Sequence, residues 1–132
     1  MSKSEFKGTP LIRYLFGDDC AKQISMRQLD GQSWYMAADI CGQVGIASHS
    51  QAVRRVRARD VFTLESHESR KESIYIGGRT KKQVLLVNNG GMLKLIYQSQ
   101  TATALAVQEQ VAKIPEDLFP AEWQEYLSDI DD

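Results

Sequence analysis

The hydrophobic pattern changes period inside one short run, SWYMAADICGQVG, residues 33–45. Ser33 to Met36 reads as a strand, with Trp34 and Tyr35 as aromatic strand formers. Directly afterwards Ala37, Ile40, Cys41 and Val44 fall at i, i+3, i+4 and i+7, one face of a helix. Asp39 stands in the first turn of that helix, where a carboxylate suits the positive end of the dipole. Gly45 is placed to supply a left-handed C-terminal cap. A strand that runs straight into a helix points to a mixed α+β domain.

The flanking segments extend this pattern. TPLIRYLF (Thr9 to Phe16) is rich in strand formers, GDD follows as a turn, and KQISMRQL partly alternates apolar and polar residues. Asp30-Gly31 is a hairpin signal, so these runs and SWYM together predict a β-meander. Ser48-His49-Ser50-Gln51 matches a capping box, S-x-x-Q, at the start of a second helix. On that helix Ala52, Val53 and Val56 form an apolar stripe, and Arg54, Arg55 and Arg57 fall away from it.

Three strand-like runs follow, VFTLES, SIYIGGR and KQVLLVN, with HESRKE as a loop and Gly77-Gly78 as a hairpin turn. After Asn88-Asn89-Gly90-Gly91, MLKLIYQS reads as a helix. TATALAVQEQVAKI reads as another, with Leu105, Val107 and Val111 on its buried side and Pro115 ending it. Pro120 suits the first turn of a last helix, PAEWQEYLSDI. The architecture expected is α+β, a β-meander and hairpins with short helices packed against them.

At 132 residues the chain has room for one domain with a real core. Its net charge of −1 hides a strong asymmetry. Residues 1–48 balance at zero. Residues 49–99 carry ten basic and four acidic side chains, and residues 100–132 carry one basic and eight acidic. Such polarity implies a charged partner.

Cys20 and Cys41 are too few and too far apart for a disulfide framework or a metal site. His49 and His67 lack metal-ligand spacing, and the paired glycines lack the companions of a phosphate loop. No catalytic residue, metal or cofactor is expected. No apolar run approaches the ~18 residues of a membrane span, and MSKSEFKGTP lacks the apolar core of a signal peptide. The cytoplasm is the expected compartment.

The order of these signals resembles the BRO-N domain, the N-terminal module of baculovirus BRO proteins and of phage and prophage antirepressors. WYMAADICGQVG, SQAVRRV and LLVNNGGMLKLIYQS are the stretches that carry the likeness, which covers roughly residues 11–115. The departures lie at the end. Val107 and Gln110 stand where the family usually has an aromatic residue and a tryptophan, and KIPEDLFPAEWQEYLSDIDD closes acidic instead of basic. The resemblance implies DNA binding, gene regulation or neutralisation of a phage repressor by direct contact, and regulators of this sort are commonly oligomers. It divides the chain into a flexible N-terminus (1–8), a BRO-N-like domain (9–115) and an acidic C-terminal helix (116–132), packed on the domain or at an interface.

Two candidate surfaces follow. A DNA-contacting surface would comprise His49, Ser50, Gln51, Arg54, Arg55, Arg57 and Arg59, joined by Arg79, Lys81 and Lys82 if that turn projects beside them. Two helices linked through Gly45-Ile46-Ala47 suggest a helix-turn-helix, although strict spacing would put an apolar residue near Gln51. The alternative for these arginines is a solvated helix face, and for the 77–82 group a charged hairpin tip. A partner or dimer interface would comprise Trp123, Tyr126, Leu127 and Ile130, against the alternative that this stripe packs in the core. The rival to a DNA-binding regulator is a protein-interaction module that recognises a repressor or host protein through the acidic helix. No membrane and no small-molecule substrate is expected.

Overall fold

The computed structural model describes residues 10–29, 31–65, 83–121, 123, 124 and 127. Pro10–Phe16 is a helix, α1, which corrects the strand expected there. Leu11, Ile12 and Leu15 are its buried residues. Their spacing is helical, and Pro10 suits a first helical turn because its missing N–H is not needed there. The strand propensity of Tyr14 and Phe16 gives way to packing against the helical core. A short helix, α2 (Asp18–Ala21), follows.

The expected meander therefore reduces to a hairpin of two strands, β1 (Met26–Leu29) and β2 (Gln32–Met36). They pair antiparallel from Met26↔Tyr35 to Leu29↔Gln32, closed by a two-residue loop in which Gly31 has φ 76°. Two further strands, β3 (Val61–Glu65) and β4 (Gln83–Val87), complete an antiparallel sheet ordered β1-β2-β4-β3. Tyr35 and Val61 both register on Val87, while Met36 and Phe62 both register on Leu86.

This alternation divides the sheet. Tyr35 and Val87 enter the main core with the helices, whereas Trp34, Met36, Val84 and Leu86 form a second cluster on the opposite face. The Trp34 and Phe62 rings meet there at 5.9 Å.

The helix expected directly after β2 is present as α3 (Ala37–Val44), with Ala37, Ile40, Cys41 and Val44 buried as the pattern requires. Gly45 ends it at φ 77°, left-handed. A Cβ at Gly45 would also fall 2.7 Å from Thr101 Cγ2, so conformation and space both demand glycine there. Two later helices, α5 (Asn89–Tyr97) and α6 (Ala102–Ala112), pack with α3. On α6 the buried residues are Ala104, Val107 and Val111. Leu105, expected inside, is 48% exposed.

The family-like serine of IYQS has a clear structural task. The Ser99 and Thr101 hydroxyls both donate to the Val44 carbonyl at the end of α3. Gln108 Nε2 donates to the carbonyls of Ile96 and Ser99, satisfying the end of α5. One short linker thus ties three helix ends together.

Candidate functional site

The arginine-bearing segment does not continue as the helix its sequence suggests. A fourth helix, α4, runs only from His49 to Val53. Ser48 occupies the N-cap position, but its hydroxyl makes no capping bond, so the expected capping box does not form. From Arg54 to Val56 the backbone N–H groups bond three residues back, to Gln51, Ala52 and Val53. This tighter turn unwinds the helix. Arg57 is extended, and a 3-10 turn at Ala58–Asp60 leads into β3.

Five residues give α4 a length of about 7.5 Å, which corrects the helix-turn-helix geometry. Among the described residues no recognition helix follows Gly45 to lie along a major groove, and Arg54 and Arg55 sit past the end of α4. The amphipathic division does survive the change of backbone: Ala52, Val53 and Val56 are buried, while Arg54 and Arg55 are exposed.

The arginine turn is fixed at both ends against α5. At one end Gln98 Nε2 donates to the Ala52 carbonyl at 2.9 Å. At the other, Asp60 is a buried carboxylate whose Oδ1 accepts from Asn88 Nδ2 at 2.8 Å, and whose carbonyl accepts from the Asn88 N–H at 3.2 Å. Asn88 also caps α5, its Oδ1 accepting from the Gly91 N–H at 2.9 Å, and its Nδ2 reaches Gln32 Oε1 at 3.0 Å. Between these ties Gly91 admits the segment closely. A Cβ there would meet Val87 Cβ at 2.8 Å, the Asp60 carbonyl oxygen at 2.9 Å and Val56 Cγ1 at 3.2 Å.

The charges along this segment have different surroundings. Arg59 Nε stands 4.0 Å from Asp60 Oδ2 with its side chain 60% exposed, a weak pairing. Arg57 is half-buried. Among the described residues no carboxylate pairs with Arg54 or Arg55. Ser50 and Gln51 are exposed on α4 and His49 is half-buried. Arg79, Lys81 and Lys82 lie outside the described residues, as do the SIYIGGR strand, the HESRKE loop and the Gly77-Gly78 turn.

The second candidate surface requires a correction. Trp123 is fully buried, its Nε1 donates to the Asn89 carbonyl at 2.9 Å, and Phe119 packs edge-on against it at 6.0 Å. It anchors the core and has no face to offer a partner. Leu127 is partly buried against the same core. Tyr126 and Ile130 lie outside the described residues.

Sequence reasoning missed the hub that holds these parts. Asn88 binds Asp60, Gln32 and Gly91. Asn89 receives Trp123 at its carbonyl and Tyr35 Oη at its Oδ1, 2.8 Å away. The signal was the Asn-Asn-Gly-Gly run itself, two adjacent amides before a close-packed helix.

The strand-into-α3 unit lies in the first of the three stretches singled out in the sequence, and the hub and Ser99 both lie in the third. The model of the BRO family N-terminal domain matches residues 23–120. The chain belongs to the BRO family. No curated protein and no solved structure matches it. The matched span of this BRO-N domain begins after α1 and α2 and ends before Trp123, yet Leu11, Ile12, Leu15 and Trp123 all share its core. BRO-N is a regulatory, non-catalytic domain.

The remaining observations concern chemistry. Burial pushes the Cys41 thiol up to about 11, so it stays protonated and inert at neutral pH. Among the described residues no group of three or more His, Cys, Asp or Glu could hold a metal ion. No described helix is long and apolar enough to cross a membrane.

Proposed function

We propose that this BRO-N domain is a phage or prophage regulator of the antirepressor type that grips nucleic-acid phosphates through the Arg54–Arg59 turn. One observation carries the reading: Arg54 and Arg55 are consecutive and exposed on a turn clamped to α5 at both ends. A guanidinium offers a planar fork that suits phosphate oxygens, and a clamped turn loses little freedom on binding. The basic surplus of residues 49–99 supports it. In this reading Ser50, Gln51 and His49 flank the turn, and Arg79, Lys81 and Lys82 supply further phosphate contacts.

Salt titration tests this reading. Affinity for a mixed-sequence duplex of about 20 base pairs should fall with salt, each phosphate contact adding about 0.9 to the log–log slope. Arg54→Glu/Arg55→Glu should flatten that slope and weaken binding at every sequence alike. No binding at low salt, or unchanged binding in the variant, refutes it.

The acidic surplus of residues 100–132 favours a second reading, docking on a basic face of a repressor or host protein. Because Trp123 is a core residue, the test keeps it and changes charge alone: Glu122→Gln/Glu125→Gln/Asp129→Asn should lose partners in a pull-down from lysogenic cells. Identical partners for both chains remove the acidic segment from consideration.

A further inference from the structure

Arg55 and Lys94 are bracketed by the same two contacts. Gln98 Nε2 donates to the Ala52 carbonyl at 2.9 Å, and the Arg55 N–H donates to that same oxygen at 3.1 Å. Val56, the next residue, approaches α5 at Gly91, where a Cβ would lie 3.2 Å from its Cγ1. The turn therefore runs against α5 in the opposite direction, from Gln98 at one end to Gly91 at the other. Lys94 stands three residues after Gly91 and four before Gln98, so all three share one face of α5. Leu95 fills the inner side of that face and is fully buried, whereas Lys94 is half-buried at its open edge. Among the described residues no carboxylate pairs with Lys94.

We infer that the anion site is a seam between two elements, in which the Lys94 ammonium and the Arg55 guanidinium hold one nucleic-acid phosphate between them. This rests on the reading of the arginine turn as a phosphate grip, and it adds a cation from α5. The two groups suit one phosphate, because the guanidinium offers a planar fork and the ammonium a compact charge with rotatable donors. The contacts at Gln98 and Gly91 fix the register of the turn on α5, so the two cations are matched before any ligand arrives. A site matched in this way loses little freedom on binding.

The test uses the full chain with two probes, the mixed-sequence duplex and inorganic pyrophosphate. Lys94→Gln should weaken duplex binding about tenfold near 50 mM salt and lower the log–log slope by about 0.9, as one phosphate contact is lost. Lys113→Gln makes the same charge change at the end of α6 and should do neither. Added to Arg55→Gln, Lys94→Gln should cost nothing further, because both remove the same contact. Losses that multiply would assign the two cations to separate phosphates and overturn the seam. A Lys94→Gln chain that binds like Lys113→Gln would overturn it too, and would leave the arginine reading standing. Pyrophosphate should shift the Arg55 Nε–Hε and Lys94 Cε–Hε resonances along one isotherm, which Lys94→Gln weakens at Arg55. Such shifts without duplex binding by any chain would support the seam and defeat the nucleic-acid reading. Neither shifts nor duplex binding would overturn both.

Discussion

Asn88 Nδ2 donates to Asp60 Oδ1 across 2.8 Å, and both side chains are almost wholly withdrawn from water. A buried carboxylate of this kind depends on its donor, because an unpaired one loses its hydration without compensation. Asn88→Ala should therefore destabilise the fold by about 2–3 kcal/mol, from the stranded Asp60 and the lost α5 cap together. Urea denaturation measures it.

The same pair yields a pH test. Asn88→Asp would set two carboxylates against each other and raise the folded-state pKa of one of them. A raised folded pKa contributes stability that is present in acid and lost as pH rises through it. The Asn88→Asp chain should stand nearest the unaltered protein in acid and fall further below it towards neutral pH. A difference in urea midpoint that does not vary with pH would contradict the pairing.

Gly45 meets Thr101 closely enough to separate backbone strain from crowding. Gly45→Ala pays for a left-handed residue, about 1–2 kcal/mol, and for the Cβ that would lie 2.7 Å from Thr101 Cγ2. Thr101→Ser removes that methyl group and keeps the hydroxyl that donates to Val44. In a double-mutant cycle the Gly45→Ala penalty should shrink, but not vanish, when Thr101→Ser is present.

Cys41 should report on the core through alkali. Its thiol has a usual value of 9.0 and is pushed up to about 11 by burial. The unfolded chain therefore loses this proton first, so stability should decline between pH 9 and about 11, a decline absent from Cys41→Ala. In the folded protein an alkylating reagent should label Cys20, which is partly exposed, before Cys41.

Trp123 offers the last comparison. Trp123→Ala should cost about 3–5 kcal/mol by opening a cavity. Trp123→Phe keeps most of the volume and loses only the bond to the Asn89 carbonyl, so its thermal midpoint should lie between the two.

Much of this was legible because the relevant patterns are local. The α3 stripe and its glycine stop, the Asp30-Gly31 hairpin and the apolar β4 run each state their conformation within a few residues. The N-terminal helix was not legible, because Tyr14 and Phe16 favour strands in isolation, and only packing on the core decides for α1. Ala104 is buried where Leu105 was expected because α6 is apolar on more than one side, so its phase is set by neighbours. The arginine segment misled for a related reason. Its apolar residues keep helical spacing through Val56, but the chain must leave the helix early to deliver Asp60 to Asn88. That partner is 28 residues away, and no local pattern announces it.

If the arginine turn grips phosphates, the brevity of α4 has a consequence for selectivity. A long helix in a groove places successive side chains against successive bases, whereas guanidinium groups on a turn meet the sugar–phosphate rail, which is the same everywhere. If such a domain acts on chosen loci, the choice must come from how readily a given duplex bends to the turn, or from a companion protein already seated there.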